Sequence, residues 1–518
     1  MNAFLMYKDR DFDQKQLLIK KEKNFRHWDK NEKLNLEQLL PWNEEDLIQD
    51  LGLNILFNAM AGEDNFLLEV AKVALLNSIT DVDTIHYRQN ILKDCLEHEA
   101  IVRDIYRLTI EAIEREKGIY GWGFLSERPD SIMHQATGKL EMFSEMLGKL
   151  RNIADQNEYT FVSEGFKRLF SMLKEELNNE YLNTVNEHLR QLKFKDGILV
   201  SAKLGYGNKG TNYILYEPPK DNRNWFERLF RKMPDYTFEI SPRDEAGARA
   251  LSELRNQSIN LVANALAQSM DHILSFFQAL RTETAFYIGC LNLIKRIQEL
   301  NEPFCFPQPE SNGNKNLSFS ELYDINLALS LGEKVVGNDL TVDGKDLFII
   351  TGANTGGKST FMRSIGIAQL MMQAGMFVPA EAFTAEVRDG ILTHFKREED
   401  TEMDSGKLDE ELSRMSEIID KVNLQSMVLL NESFAATNEK EGSEIAKQIT
   451  NALIEKGIKV VFVTHQYEFA HSLCEKRNLN AIFLRAERLP DGTRTFRILN
   501  GEPLQTSYGE DLYKEIFN

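Results

Sequence analysis

Residues 347–360 read LFIITGANTGGKST, in which an apolar run leads into a glycine-rich turn that ends in Lys-Ser-Thr. The apolar run is typical of a buried strand, and the residues that follow, FMRSIGIAQLMMQAG, have the apolar spacing of a helix. A G-x-x-x-x-G-K-S turn between a strand and a helix is a P-loop, because its backbone amides surround a phosphate and the helix N-terminus adds positive potential. This stretch therefore predicts a nucleotide-binding α/β domain. The residues that we expect to bind the nucleotide here are Gly352, Asn354, Gly356, Gly357, Lys358, Ser359 and Thr360.

Two side chains of this loop have a specific expected role. Lys358 can reach the β- and γ-phosphate oxygens, and the hydroxyl of Ser359 is a ligand for Mg²⁺. A chance glycine-rich turn would not explain Lys-Ser-Thr at this position, so we predict that the site takes a nucleotide with Mg²⁺.

A second buried strand, Met427 to Leu430, ends in the polar pair Asn431 and Glu432. A carboxylate directly after such a strand can activate water, which makes Glu432 the candidate general base. Asn431 stands where an Asp is usual, and its amide oxygen accepts hydrogen bonds but carries no charge, so we expect weaker metal binding or slower turnover. Glu432 alone could be a solvated acid at a strand end, but its spacing after the P-loop favours catalysis. We assign Ser359, Asn431 and Glu432 to the metal site.

A third strand, Lys459 to Thr464, ends in His465. A His at the carboxyl end of a strand beside two nucleotide motifs can contact the γ-phosphate or the attacking water, and we prefer this catalytic role to a structural one. Residues 481–488 and 495–499 flank a Pro-Asp-Gly turn and predict a strand pair. Apolar strands that alternate with helical segments build a largely parallel α/β sheet.

The N-terminal half has the pattern of successive helices from about residue 36 to residue 300. Residues 244–300 predict one helix of about fifty residues, which would be about 75 Å long. Two shorter helices that meet at Gly289 are the alternative. Residues 192–216 predict a β-hairpin, and we interpret their G-x-G-x-x-G as turn glycines because no helix follows.

The composition changes at residues 301–318, where three prolines break the helical pattern. We therefore predict an N-terminal segment over 1–50, a helical core or lever domain over 51–300 with a small hairpin insert at about 192–240, and a nucleotide-binding α/β domain over 301–518. The predicted fold class is α plus α/β.

The chain has 518 residues and a net charge of −19. A protein that binds phosphate backbones usually carries a basic surface, so any contact with nucleic acid must be local. The basic and aromatic residues within 223–232 could make such a contact, although an amphipathic helix with a solvated basic face is the preferred interpretation. Four cysteines without a C-x-x-C pair argue against a disulfide framework or a zinc ribbon. With no secretory start and no apolar run of about eighteen residues, we expect no membrane contact and a cytoplasmic location.

Taken together, five segments resemble the ATPase domain of the MutS family of DNA mismatch-repair and recombination proteins, over about residues 319–518. They are GANTGGKST, the DSGK at a helix start, LLNES with the following FAATNEKEGSEIA, VTHQYEFA, and GEPLQTSYGEDL. The resemblance implies an ABC-class P-loop ATPase that uses ATP and Mg²⁺ and works as a homodimer. Each nucleotide would lie between one subunit's P-loop and the other's signature helix, and long helices would act as levers that reach DNA.

The resemblance also implies roles for single residues. By position, Glu432 would activate water and His465 would be the switch histidine. Ser405 would act across the dimer on the γ-phosphate bound by the other subunit, and Phe496 would stack on adenine. Residues 437–442 fall where the family has its interface loop.

Three departures from the family pattern bear on function. The acidic run 409–411 differs from the family's signature helix. We expect no mismatch-reading domain, because the G-x-F-x-E motif and the length for it are missing, and no nuclease-like domain after about residue 509. We therefore expect a short, divergent member in which ATP binding and hydrolysis move levers on mismatched or branched DNA. The alternatives are a nucleotide-switched protein scaffold without DNA contact and, because of Asn431, a nucleotide-binding protein that barely hydrolyses.

Overall fold

The computed structural model describes residues 1–12, 40–118, 129–194, 197–208, 210–216, 239–241, 243–311, 313, 315–397, 406–475 and 480–505. Ser405, the stretch 223–232 and residues 507–509 lie outside the described residues. The helices are α1 (Glu44–Leu51), α2 (Leu53–Ala61), α3 (Asn65–Leu76), α4 (Val82–Glu97), α5 (Glu99–Gly118), α6 (Pro129–Asn157), α7 (Glu164–Glu176), α8 (Asn179–Gln191), α9 (Glu245–Glu299), α10 (Ile325–Leu331), α11 (Lys358–Gln373), α12 (Lys407–Lys421), α13 (Glu439–Glu455) and α14 (Tyr467–Glu475). The strands are β1 (Leu199–Leu204), β2 (Gly210–Tyr216), β3 (Gln308–Glu310), β4 (Leu317–Leu322), β5 (Asn338–Val342), β6 (Leu347–Thr351), β7 (Ala382–Glu386), β8 (Ile391–Phe395), β9 (Met427–Asn431), β10 (Lys459–Val463), β11 (Ala481–Arg488) and β12 (Arg494–Asn500). Within this described part of the chain, no helix is both long and apolar enough to cross a membrane.

The nucleotide motifs lie in a six-stranded sheet of order β12-β11-β6-β10-β9-β8. Strands β11, β6, β10, β9 and β8 run parallel, and β12 is antiparallel to β11. A second sheet has the order β3-β7-β4-β5. The predicted parallel sheet and the C-terminal strand pair are confirmed, and the mixed helix and sheet content fits the predicted α plus α/β class.

Burial on both faces explains why the central strands are largely apolar. Every residue of β6 and β10 is buried, as expected for parallel strands that helices cover on both sides. In the register of the sheet, Val463 pairs with both Ile350 and Asn431. The carboxyl ends of β6, β10 and β9 therefore meet at one edge, where ligands bind in open α/β sheets.

A single helix, α9, extends over 55 residues, which at 1.5 Å per residue is about 82 Å. The prediction of one continuous helix is confirmed. Gly289 does not break it: a Cβ atom at this position would lie 3.3 Å from Met60 Cε, so the missing side chain allows α2 to pack closely.

The predicted hairpin is also confirmed. Strands β1 and β2 pair antiparallel from Leu199–Tyr216 to Leu204–Gly210. Gly207 in their connection has a φ of +72°, a left-handed conformation that glycine adopts easily. Gly207 therefore acts as a turn residue, as predicted, whereas Gly210 is the first residue of β2.

The packing divides the chain into two compact units. One consists of residues 1–3, 100–162 and 166–281, and the other of residues 4–99, 163–165 and 282–518. This division differs from the predicted boundary at 301–318, because residues before it pack on the helix that follows the P-loop. The Leu51 side chain, for example, lies 3.2 Å from where a Cβ on Gly366 would be, and the Arg88 guanidinium donates to Ala374 O at 3.1 Å.

Residues 4–12 belong to the second unit, where Leu5, Met6 and Phe12 are buried. Glu283 of α9 is fully buried, and its carboxylate accepts hydrogen bonds from the backbone N–H groups of Leu5 (2.7 Å), Met6 (3.1 Å) and Phe12 (2.6 Å). Burial raises the pKa of Glu283 to about 7, against the lowering effect of these donors. The N-terminal segment is thus fixed by a buried carboxyl group distant in sequence.

Candidate nucleotide site

The loop between β6 and α11 leaves little room for side chains at Gly352 and Gly356. Gly352 and Gly357 have φ values of +113° and +88°, which favour glycine. A Cβ on Gly352 would lie 3.0 Å from Ala486 N, and one on Gly356 would lie 2.9 Å from Ala353 O. The loop therefore depends on glycine both for its conformation and for its close packing against β11, which fits a backbone cradle for phosphate.

Lys358 is the first residue of α11 and is 5% exposed. Its Nζ atom donates hydrogen bonds to Ala353 O at 2.8 Å and Gly352 O at 3.1 Å, inside the curve of the loop. Burial lowers the pKa of Lys358 to about 8, although the Glu432 carboxylate opposes this effect. An anion in the loop would stabilise the charged ammonium group, so the site is suited to phosphate.

Ser359 and Asn431 bring the P-loop and β9 together. Ser359 Oγ donates a hydrogen bond of 2.9 Å to Asn431 Oδ1. A hydroxyl and an amide oxygen are ligands that Mg²⁺ accepts when phosphates and water complete its coordination. The two side chains fit a magnesium site in which Asn431 provides a neutral oxygen and no negative charge.

Glu432 and His465 meet at the carboxyl ends of β9 and β10. Glu432 Oε1 lies 2.8 Å from His465 Nε2, and each side chain is 31% exposed. The hydrogen bond from His465 lowers the pKa of Glu432, against desolvation, and Lys358 adds to the lowering. The carboxyl group is therefore ionised and oriented at neutral pH, as a general base must be.

Phe496 lines a cavity of about 450 Å³ next to the P-loop. The cavity is also bordered by Thr355, Gly357 and Thr360, and its apolar lining includes Leu322, Leu327, Val335, Val336 and Phe361. An apolar cavity of this size holds a small molecule such as a nucleotide base. Phe496 is 49% exposed, so about half of its surface is available for contact with a ligand.

Two residues near the loop were not predicted from the sequence. The Arg494 guanidinium donates to Thr355 Oγ1, and its charge contributes to the lowered pKa of Lys358. Asn338 of β5 accepts from Ile498 N at 2.7 Å and donates to Phe496 O at 3.4 Å. No local motif indicates either residue, because both contacts join segments more than a hundred residues apart.

The remaining predicted residues have different surroundings. Asn354 Oδ1 is buried and has no hydrogen-bond partner in the described part of the chain. Thr437 Oγ1 donates to Glu441 Oε2 at 2.7 Å, within the predicted interface loop 437–442. Helix α12 begins at Lys407 after Gly406, and Ser405 itself lies outside the described residues.

Comparisons with known proteins cover both halves of the chain. Residues 80–300 match the family model of the MutS2 N-terminal domain, and residues 348–516 match that of MutS domain V. The first match extends over the helical half, for which the sequence offered a pattern but no motif.

Individual relatives are similar over shorter parts of their own length. The DNA mismatch repair protein MutS of Lactobacillus gasseri is 23% identical over 461 residues, which cover 81% of this chain and 52% of that protein. MutS protein homolog 4 of Homo sapiens is 22% identical over 319 residues, 60% of this chain and 33% of that protein. The DNA mismatch repair protein MutS of Thermotoga neapolitana is 35% identical over 178 residues, 34% of this chain and 22% of that protein. The chain thus spans about half or less of the relatives that it matches.

Proposed function

The chain belongs to the MutS family, and we propose that it is an ABC-class ATPase that binds and hydrolyses ATP with Mg²⁺. The observation that carries this proposal is the convergence of three elements at one sheet edge. Lys358 lies inside the P-loop, Ser359 contacts Asn431, and Glu432 contacts His465. The apolar cavity beside Phe496 adds a place for the base.

In this proposal the phosphates occupy the loop over residues 352–360. Lys358 and the amides at the N-terminus of α11 hold their charge. Ser359 and Asn431 would hold Mg²⁺, which neutralises phosphate charge when bound. The base of the nucleotide would lie in the cavity against Phe496.

Hydrolysis requires a base next to the water that attacks the γ-phosphate. Glu432 is ionised, and its hydrogen bond with His465 fixes the direction of the carboxylate. His465 would donate the hydrogen bond and so keep the Glu432 carboxylate in this orientation. Because Asn431 brings no charge to the metal, we expect slow turnover rather than none.

We further propose that nucleotide state moves the long helices on mismatched or branched DNA, in a homodimer whose composite ATP sites include Ser405 of the other subunit. Family membership and the 55-residue α9 support this coupling. A nucleotide-switched scaffold without DNA contact is the second candidate, and the net charge of −19 favours it. The division into segment 1–50, lever domain 51–300 and ATPase domain 301–518, and the cytoplasmic location, stay predictions.

Two substitutions test the ATPase. We expect Lys358→Ala to abolish ADP and ATP binding, and Glu432→Gln to retain binding but stop hydrolysis. The exposed Lys456 and Glu455 on the far end of α13 provide the matched controls Lys456→Ala and Glu455→Gln. Equal ATPase rates for the wild type and Glu432→Gln would exclude Glu432 as the base.

DNA binding at low salt tests the coupling. The affinity for homoduplex, mismatched and branched DNA is measured with and without ATP, with Lys358→Ala as the control that cannot respond to nucleotide. An ATP-dependent affinity for one of these DNA structures is the expected result. ATP hydrolysis without such a dependence for any of them would favour the scaffold.

A further inference from the structure

Residues 432–436, which follow β9, have a backbone conformation that depends on contacts with neighbouring residues. We call this segment the base loop. Glu432 has a φ of +54° and Phe434 a φ of +63°. Residues other than glycine rarely adopt this left-handed conformation, and it persists only when neighbouring groups fix it. The groups that fix the base loop therefore control the direction of the Glu432 carboxylate.

Some of these groups belong to β10 and the residues after it. Glu432 N donates to Val463 O at 2.8 Å, and Gln466 Nε2 donates to Phe434 O at 3.0 Å. These bonds hold the base loop from the side on which His465 lies.

A buried histidine holds the base loop from the other side. His394 of β8 is fully buried, its Nδ1 lies 2.7 Å from Ser433 Oγ, and its Nε2 lies 3.0 Å from Glu411 O. The imidazole also stacks on Phe434, with ring centroids 5.5 Å apart. Strand β8 thus connects the base loop to the backbone of α12.

The proton positions on this histidine follow from its partners. Glu411 O can only accept, so His394 Nε2 carries a hydrogen. Burial lowers the pKa of His394 to about 4, so the ring is neutral and Nδ1 accepts from the Ser433 hydroxyl. The same hydroxyl lies 2.8 Å from His394 O, its alternative acceptor.

The Glu411 side chain makes a second connection from α12. The side chain is buried, and the backbone N–H groups of Ala436 and Phe434 lie close enough to its carboxylate to act on its pKa, while Oε2 has no hydrogen-bond partner among the described residues. Burial raises the pKa of Glu411 and these two donors oppose the rise. One residue of α12 therefore contacts the base loop through its side chain and His394 through its backbone.

We propose that His394 and Glu411 are positioning residues that couple α12 to the base loop and so hold Glu432 against His465. The inference rests on the proposed function, because it concerns how that site controls hydrolysis. Neither residue lines the P-loop; both act through Ser433, Phe434 and Ala436. A displacement of α12 would release the base loop and change the rate of hydrolysis without changing nucleotide affinity.

The test compares variants of one helix. Glu411→Leu removes the acceptor, whereas Glu411→Gln retains an oxygen acceptor. Glu417→Leu, on the exposed face of α12, is the matched control. We expect Glu411→Leu to lower kcat about tenfold, since small displacements of a catalytic group have effects of this order, while KM for ATP and the Kd for ADP stay at wild-type values. Glu411→Gln should restore most of kcat.

A second variant and a second readout keep the test decisive if Glu411→Leu does not fold. Ser433→Ala removes only the hydroxyl that contacts His394, and it should also lower kcat at constant KM. Hydrogen–deuterium exchange at residues 432–436 should be faster in either variant than in Glu417→Leu. Wild-type kcat in both Glu411→Leu and Ser433→Ala, or a changed KM at constant kcat, would overturn the inference.

The outcomes separate this inference from the proposed function. If the wild type hydrolyses ATP and Glu432→Gln stops it, but Glu411→Leu retains full kcat, the inference alone is wrong. If the wild type neither binds nor hydrolyses ATP, the proposed function is wrong, and the inferred coupling of α12 to hydrolysis is then wrong as well.

Discussion

The lowered pKa of Lys358 predicts that nucleotide affinity depends on pH. In the protein without a bound phosphate, burial lowers this pKa to about 8. The charged fraction of Lys358 then falls from about nine-tenths near pH 7 to about one-tenth near pH 9. Phosphate binds the charged form, so binding raises the pKa and takes up a proton above neutrality.

The magnitude follows from these fractions. If only the charged form binds, the Kd for ADP rises about tenfold between about pH 7 and about pH 9, which is about 1.4 kcal/mol. The phosphate itself does not produce this change, because its last proton is lost near about pH 6. ADP is the suitable ligand because it is not hydrolysed during the measurement.

Isothermal titration calorimetry at constant Mg²⁺ measures both the affinity and the proton uptake. Titrations in two buffers of different ionisation enthalpy should give an uptake of about half a proton per ADP near pH 8. Lys358→Arg keeps its charge over this range and should remove the pH dependence, whereas Lys456→Arg on the surface should retain it. An affinity that is constant from pH 7 to pH 9 in the wild type would refute the reasoning, as would the absence of proton uptake.

Three other substitutions have defined outcomes. Asn431→Asp adds a charged oxygen next to Ser359 and should lower the Mg²⁺ concentration for half-maximal ATPase activity about tenfold, measured by Mg²⁺ titration with Asn423→Asp as a surface control. Gly356→Ala places a Cβ 2.9 Å from Ala353 O and should weaken ADP binding, measured by calorimetry, with a thermal unfolding midpoint close to that of the wild type. Glu283 retains a proton in the folded chain between its unfolded pKa of 4.5 and its folded pKa of about 7, so its contribution to stability falls as pH rises through this range. Glu283→Gln should remove this pH dependence, about 3 kcal/mol, and thermal unfolding near pH 5 and pH 8 checks it; an unchanged difference between wild type and variant at the two pH values would contradict it.

The local parts of the site could be predicted from the sequence. A P-loop is a continuous segment whose glycines and lysine have fixed spacing, and each apolar strand ends directly at Asn431 or His465. Parallel strands bring such ends to one edge, so the chain pattern predicts Glu432 and His465 at the same edge of the sheet, whereas their direct contact depends on β9 and β10 being neighbours. The continuity of α9 could also be predicted from the sequence, because the helical spacing of apolar residues extends along the segment.

The nonlocal parts could not be predicted. The cavity beside Phe496 combines residues 322–338 with a strand near the C-terminus, and no sequence spacing encodes such a contact. The same holds for Leu51 and Arg88, which contact the helix that follows the P-loop. The left-handed backbone of Glu432 and Phe434 is likewise imposed by tertiary contacts and not by local preference.

The net charge of −19 affects DNA contact and nucleotide binding differently. Repulsion of an anion by distant surface acids is screened beyond about 8 Å at physiological ionic strength. Near the phosphates the relevant charges are Lys358, Arg494 and Glu432, and Asn431 removes one negative charge that an Asp would add. The nucleotide therefore meets a local field that is less negative than the chain as a whole. Any contact with DNA would involve exposed surface, where basic residues compete with the excess of acids in the chain. The acidic composition would thus limit DNA contact while leaving the proposed nucleotide site able to bind phosphate.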